Sequence, residues 1–300
     1  MPPSTSSFCG FDPRGALRQA AAAPIASAAS PKVRRVVRCV THARLTDPRA
    51  ARKRYPALTN VGLPNVDEAG VRSLESSAKW RVAGRGAWYA DARFKRPLHA
   101  SRDPRAVRAL LCASGVALER ASVLDVGSGT GRLSAGIRAL GARWTGVDAA
   151  REMLAAAARD ADAGAGTRLV CGDLALLPFA DRSFDVVVCC RVLHHLHDER
   201  QLELAARELL RVARTAVVLS FWDRASWPAL RTRLGWKRAE GPLGRVSRSR
   251  ASIARAFALA GGRVARYRAR PRWLDQQTFA LVKKEPPPTK EQRMTKEQGR

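Results

Sequence analysis

The sequence predicts an α/β protein with a doubly wound, Rossmann-like sheet of about seven mostly parallel strands and helices on both faces. Short apolar runs alternate with longer segments of helical periodicity between residues 104 and 284. The apolar run at residues 184–190 is typical of a strand covered on both faces. A glycine-rich bend follows the first strand directly, as in folds that bind a ligand at the carboxyl edge of the sheet.

Seven strands are expected: Ser122–Val126, Arg143–Val147, Thr167–Cys171, Phe184–Cys190, Ala216–Phe221, Val264–Arg268 and Gln277–Lys283. Asp103 followed by Pro104 predicts the start of a helix, because proline suits the first helical position. Four further helices are expected from their spacing of apolar residues: Arg132–Leu140, Ala150–Asp160, Asp198–Ala213 and Ser249–Ala260, the last ended by Gly261 and Gly262.

The two ends of the chain differ from its middle in composition and charge. The net charge of +28 divides into +9 for residues 1–60, +5 for 61–219 and +14 for 221–300. We expect a disordered or targeting tail over residues 1–56, an N-terminal cap over 57–103, a catalytic domain over 104–284 with a substrate lid at 222–250, and a polar tail over 285–300. A cytoplasmic location is expected, or an organelle matrix or stroma if residues 1–56 are a transit peptide.

Composition excludes several classes of protein. No run approaches the roughly 18 apolar residues that a membrane span requires. The six cysteines show no paired CxxC spacing, so no metal site is expected, and buried thiols in a reducing compartment explain them better. The basic ends leave nucleic acid possible as a partner, although the motif-bearing middle is nearly balanced in charge. The sequence leaves the oligomeric state open.

The segment VLDVGSGTGRL, residues 123–133, has the pattern of a strand, a glycine turn and a helix. Glycines permit backbone angles that other residues avoid and allow a ligand to lie against the main chain. The dinucleotide fingerprint G-x-G-x-x-G would need a small residue at position 132, where this chain has Arg132. The loop therefore favours a ligand other than a dinucleotide.

Three aspartates lie near the edge of the sheet where a ligand is expected to bind. Asp148 ends the second strand, where a carboxylate accepts hydrogen bonds from ribose hydroxyls. Asp173 follows the third strand, where it can accept a bond from an exocyclic amine such as that of adenine. Asp125 precedes the glycine loop and suits a positive group, whereas it would repel a pyrophosphate. An adenosyl ligand with a sulfonium and an ammonium group, S-adenosylmethionine, matches this set.

The chain resembles the class I S-adenosylmethionine-dependent methyltransferases, specifically the type 11 subgroup that includes ubiquinone/menaquinone-biosynthesis-like enzymes. Four further segments carry the resemblance in order: GVDAAREML, DLALLPFADRSFDVVVC, RVLHHL and ELLRVAR. The family's Pro-Gly-Gly turn before the fifth strand is missing here, which leaves the substrate subgroup open. The resemblance implies eleven cofactor-binding residues: Asp125, Gly127, Ser128, Gly129, Gly131, Asp148, Ala149, Met153, Asp173, Leu174 and Arg191.

Methyl transfer from a sulfonium is an in-line displacement that depends on orientation and on exclusion of water. His194 and His195 are the candidate catalytic bases, because they lie at the rim after the fourth strand and histidine titrates near neutral pH. Two aromatic and basic segments, residues 79–99 and 222–250, are candidate lids over the acceptor. A small-molecule acceptor is favoured, and the alternatives are an RNA methyltransferase, a nicotinamide-dependent oxidoreductase and a non-catalytic cofactor-binding subunit.

Overall fold

One mixed β-sheet organises the described residues of this computed structural model, which are 37–39, 97–159, 168–236, 245–271, 273 and 275–285. It contains nine strands within these ranges: β1 Val37–Cys39, β2 Ser122–Val126, β3 Arg143–Asp148, β4 Arg168–Cys171, β5 Phe184–Cys189, β6 Ala213–Asp223, β7 Ser247–Arg248, β8 Gly262–Ala269 and β9 Gln277–Lys284. Their order is β1-β4-β3-β2-β5-β6-β9-β8, and β7 pairs with the end of β6.

All neighbouring strands from β1 to β6 run parallel, as does the short pairing of β6 with β7. Strand β9 is antiparallel to both of its neighbours, so β8 again runs in the direction of β6. The predicted doubly wound, mostly parallel sheet is therefore confirmed. The carboxyl ends of β2, β3, β4, β5 and β6 consequently meet at one edge, where ligands bind in such sheets.

Six helices connect the strands within the described residues: α1 Pro97–Cys112, α2 Ser134–Arg138, α3 Arg151–Arg159, α4 Glu199–Val212, α5 Trp227–Arg233 and α6 Arg250–Leu259. The predicted helix start at Asp103–Pro104 is wrong, because α1 begins at Pro97 and passes through both residues. The starts of α4 and α6 agree closely with the prediction. Asp198 and Ser249 cap them, since their side chains accept hydrogen bonds from the N–H groups of Gln201 and Ser252.

The central strands of the sheet bury side chains on both faces, whereas the edge strand β8 is largely exposed and basic. Leu124 and Val126 of β2 point to one face, where α4 and α6 pack. Val123 points to the other face, where residues of α1, α2 and α3 pack. Alternate side chains of a strand point in opposite directions, so both layers of the core come from the same strands. The glycine loop after β2 is thus held between two helical layers.

Several predictions fall outside the described residues. These are the tail at residues 1–56 apart from 37–39, the part of the cap and lid that covers 57–96, and the polar tail beyond residue 285. The lid at residues 222–250 is described except for 237–244, and it contains α5 and β7. No helix in the described ranges is long and apolar enough to cross a membrane.

Candidate cofactor and active site

The loop after β2 turns sharply because three of its glycines have left-handed backbone angles. Gly127, Gly129 and Gly131 have φ values of +70°, +56° and +79°. A Cβ at Gly127 would lie 2.3 Å from Cγ2 of Val192, which no side chain could accommodate without a shift. A Cβ at Gly129 would meet no atom within 4 Å, so that glycine borders open space. The loop therefore presents bare main chain to a pocket.

Asp148, at the end of β3, holds this loop in place. One carboxylate oxygen accepts a hydrogen bond from the N–H of Gly129 at 2.8 Å, and the other accepts one from the N–H of Ala150 at 2.8 Å. The carboxylate therefore joins the glycine loop to the start of α3. Burial raises the pKa of Asp148, while these two backbone hydrogen bonds act in the opposite direction.

Asp173 follows β4 and is fixed by the loop that it begins. Its carboxylate accepts a hydrogen bond from the N–H of Ala175 at 2.9 Å, and only 4% of the residue is exposed. The same loop is tied to α4, because the N–H of Leu177 donates to the buried carboxylate of Glu208 at 2.8 Å. The guanidinium of Arg211 also donates to the carbonyl of Leu177, at 3.0 Å. These contacts with helix α4 thus hold in place the loop that begins at Asp173.

A pocket at the carboxyl edge of the sheet collects most of the residues proposed from the sequence. Nine of the eleven candidate cofactor residues line it: Gly127, Ser128, Gly129, Asp148, Ala149, Met153, Asp173, Leu174 and Arg191. The candidate bases His194 and His195 line the same pocket. The topology therefore brings together residues from five segments that are up to 68 positions apart in the sequence (residues 127 to 195).

Asp125 and Gly131 lie elsewhere than expected. Asp125 is 1% exposed and sits beneath the loop, where its carboxylate accepts a hydrogen bond from the indole Nε1 of Trp144 at 3.3 Å. Burial raises the pKa of this carboxyl from 3.8 to about 7, against the lowering effect of the Trp144 hydrogen bond. A Cβ at Gly131 would face Ala157 and Trp144 rather than the pocket. The structure thus places both residues below the pocket surface, as supports of the loop.

A buried carboxylate that sequence reasoning missed orients two arginines of the pocket. Asp103 of α1 is 2% exposed and pairs with Nη2 of Arg132 at 3.0 Å. It also forms a close ion pair with Arg191, whose Nη2 lies 3.4 Å from the second carboxylate oxygen. Both arginines line the pocket, so the triad presents a net positive charge to it. Asp103 lies far from both arginines in the sequence, and no local pattern indicates the contact.

The candidate base His194 is part of a stack of aromatic and cationic groups. Its ring lies parallel to the indole of Trp222, with centroids 4.9 Å apart and an interplanar angle of 12°. The guanidinium of Arg245 lies over the indole of Trp222, 5.2 Å from its ring centroid. His195 contacts His194 at a centroid distance of 4.2 Å. Arg245, which lies in the segment 222–250 predicted as a lid, also lines the pocket.

The pocket has the chemical groups that an adenosyl ligand with an amino-acid tail would need. Bare main chain at Gly129 leaves room for close approach, and the buried hydroxyl of Ser128 has no hydrogen-bond partner among the described residues. Two carboxylates, Asp148 and Asp173, and three arginines, Arg132, Arg191 and Arg245, line the pocket. No cluster of His, Cys, Asp or Glu in the described ranges could hold a metal ion.

Comparison with known proteins identifies the central part of the chain. Residues 123–216 match a family model described as a methyltransferase domain. The demethylmenaquinone methyltransferase of Thermobifida fusca is 36% identical over 118 residues, which cover 38% of this chain and 49% of that protein. The ubiquinone biosynthesis O-methyltransferase of Idiomarina loihiensis is 33% identical over 141 residues, which cover 46% of this chain and 56% of that protein. The chain spans about half the length of the curated relatives it matches.

A solved structure supports the fold over a longer range. The magnesium protoporphyrin IX methyltransferase of Synechocystis PCC 6803, solved with bound SAM, superposes with a TM-score of 0.54 at 20% sequence identity. The match covers 71% of this chain and 99% of that protein. The resemblance to class I methyltransferases of the type 11 kind is thus confirmed.

Proposed function

Because residues 123–216 form a methyltransferase domain, we propose that this chain binds S-adenosylmethionine and transfers its methyl group to a small-molecule acceptor. The observation that carries the proposal is the convergence of Asp148, Asp173 and the bare loop at Gly129 on one pocket. These three features lie on different strands and meet only in the folded chain. A structural turn alone would not require the buried Asp173 and the partly buried Asp148 beside it.

The lining residues divide by chemistry into the parts that such a cofactor needs. Asp148 would accept hydrogen bonds from the ribose hydroxyls, and Asp173 would accept one from the adenine amine. Met153, Ala149 and Leu174 supply apolar contact for the adenine ring. Arg132 and Arg191, oriented by Asp103, would hold the carboxylate of the amino-acid tail. When bound, the cofactor supplies a methyl group on a sulfonium that a nucleophile can displace.

The residues at the opposite wall of the pocket suit the acceptor. His194 or His195 would accept the proton of an acceptor hydroxyl, and the stack on Trp222 fixes the ring of His194. Val192 and Leu196, which line the pocket, would limit the access of water to this side. We therefore assign the acceptor to the space between the histidines and the glycine loop, in line for displacement at the methyl group.

The names of two curated relatives, a demethylmenaquinone methyltransferase and a ubiquinone biosynthesis O-methyltransferase, favour a small-molecule acceptor. Neither name fixes the acceptor of this chain.

A groove lined by arginines supports an RNA acceptor as the second candidate. It lies between α1 and β8, and four exposed arginines border it: Arg105, Arg266, Arg268 and Arg270. Alternate residues of a strand share a face about 6.6 Å apart, so β8 presents a row of cations. Rows of this kind neutralise phosphates, and the resulting affinity falls steeply with salt.

Calorimetric titration with S-adenosylhomocysteine tests the cofactor assignment. We expect binding to the purified chain, and loss of binding in Gly129→Arg, whose side chain would fill the open space beside the loop. Gly235→Arg is the matched control, because Gly235 also has a left-handed φ and open space but lies in the insertion. Binding of NADH in place of S-adenosylhomocysteine, or unchanged affinity in Gly129→Arg, would overturn the assignment.

The acceptor class is tested by supplying labelled S-adenosylmethionine with a metabolite extract in one reaction and total RNA in another. We expect label in the small-molecule fraction. Label in RNA, reduced when Arg266, Arg268 and Arg270 are replaced by glutamine, would reject the small-molecule assignment in favour of the second candidate.

A further inference from the structure

Helix α5 turns its large apolar side chains outward. Trp227, Leu230 and Leu234 are 43%, 36% and 51% exposed, and the following Trp236 is 63% exposed. The residue of α5 that is buried is the small Ala229. Surface helices of globular proteins normally bury their apolar stripe and expose the polar one. We call Trp227, Leu230, Leu234 and Trp236 the tryptophan patch.

The tryptophan patch is a continuous surface rather than a scatter of single side chains. The rings of Trp227 and Trp236 meet edge to face with centroids 5.9 Å apart. Among the described residues, six large hydrophobic side chains are exposed, and four of them belong to this patch. Contiguous apolar surface of this kind marks a site of interaction with a partner or a membrane.

The charge around the patch is of one sign. Residues 224–238 contain five basic residues and no acidic one. Arg224, Arg231 and Arg233 are exposed beside the patch. Tryptophan and leucine flanked by arginine are the composition of segments that lie in the interface of a bilayer, where anionic headgroups attract the cations.

Both ends of the segment that carries the patch are anchored at the rim of the pocket. It leaves the sheet at the end of β6, next to Trp222, which stacks on His194. It returns at Arg245, which lines the pocket. The buried guanidinium of Arg248 donates to the carbonyls of Leu196 and Asp198 at 2.7 and 2.8 Å, which fixes the return. The patch and the pocket mouth therefore belong to the same edge of the molecule.

We propose that the tryptophan patch docks this protein on an anionic membrane surface. This docking surface does not rest on the proposed function. A bilayer surface suits the patch better than a protein partner does. The exposed cations surround the apolar side chains, and no acidic residue is present within residues 224–238 that could fix the orientation of a specific protein partner. The short helix needs to insert only its indoles and leucines to the depth of the headgroups.

Vesicle sedimentation with the full chain tests the docking surface. The vesicles contain phosphatidylcholine and phosphatidylglycerol in a two-to-one ratio, and a second set contains phosphatidylcholine alone. We expect tighter binding to the anionic set. The double variant Trp227→Ala/Trp236→Ala should bind at least about tenfold more weakly, although its charge is unchanged. The matched control is Trp273→Ala, because Trp273 is 70% exposed but lies outside the patch; its affinity should stay within about twofold of the unchanged chain.

The charged part of the surface has its own test. Arg231→Gln/Arg233→Gln should weaken binding to the anionic vesicles by at least about tenfold. Arg255→Gln/Arg263→Gln removes two exposed arginines elsewhere and is the matched control. Equal losses in the two pairs would mean that net charge alone drives binding, and would overturn the proposal. Equal vesicle binding by the unchanged chain and the double tryptophan variant would also overturn it.

Two further measurements separate the possible failures. Sedimentation velocity without vesicles tests self-association: a dimer that the double tryptophan variant abolishes, with vesicle binding unaltered, would assign the patch to a second copy and reject the membrane. Titration with S-adenosylhomocysteine verifies that the double variant is folded. Patch-dependent vesicle binding by a chain that binds no S-adenosylhomocysteine would keep the docking surface and reject the proposed function.

Discussion

Replacement of Asp125 by asparagine should remove a pH dependence of stability that the unchanged chain possesses. The carboxyl is buried beneath the glycine loop, and its pKa is raised from 3.8 to about 7. Between these two pH values the folded chain holds a proton that the unfolded chain has released. Linkage then requires the free energy of unfolding to fall as the pH rises through this window.

The magnitude follows from the two pKa values. The whole shift corresponds to roughly 4 kcal/mol of destabilisation above pH 7, of which roughly 3 kcal/mol develops between about pH 5 and about pH 8. Asparagine has nearly the same shape and keeps an oxygen that can accept the hydrogen bond from Trp144. Asp125→Asn should therefore be more stable than the unchanged chain at pH 8, with little difference near pH 4.

Urea unfolding at several pH values, followed by circular dichroism, measures the effect. The informative quantity is the difference in unfolding free energy between the two proteins at each pH, because all other titrating groups are common to both. The difference should grow by roughly 3 kcal/mol from about pH 5 to about pH 8. Parallel stability profiles, or a variant that loses stability equally at both pH values, would refute the reasoning.

Three other substitutions test separate features. Gly127→Ala should lower the unfolding free energy by about 2 kcal/mol or more, because it combines a left-handed φ with a Cβ 2.3 Å from Val192; urea unfolding checks it, and the addition of Val192→Ala should recover part of the loss. Asp103→Asn should cost about 3 kcal/mol by leaving two arginines without their buried carboxylate; unchanged affinity for S-adenosylhomocysteine in calorimetry would contradict its role at the pocket. Asp198→Ala should cost about 1 kcal/mol through the lost helix cap, whereas thermal unfolding of Asp198→Ser should show most of that stability retained.

The sequence predicts the regular part of the fold because its signals are local. Each of the seven expected strands is present in the sheet. Strands β1 and β7 contain three and two residues, which is too short for any periodicity to indicate them. The predicted start of α1 is wrong because aspartate is a common helix-capping residue, whereas the side chain of Asp103 forms ion pairs with two arginines instead.

The candidate site likewise contains residues that the sequence indicates and residues that it does not. The glycine loop, Asp148 and Asp173 are recognisable because each follows a strand at a fixed place in the motif. Arg245 also lines the pocket, but only the folding of a distant segment brings it there. The burial of Asp125 below the loop likewise depends on Trp144 of the neighbouring strand. Sequence patterns report which edge of the sheet binds a ligand, and packing decides which side chains reach it.

The ion pairs of Asp103 have a consequence for where this domain can be cut. The segment that resembles other methyltransferases spans residues 123–216, and Asp103 lies on the preceding helix, outside it. A shortened chain starting at residue 123 would carry both arginines into the pocket without their counter-charge and would expose the apolar layer that α1 covers. The match to the family model therefore covers fewer residues than the domain needs in order to fold and to keep its pocket intact.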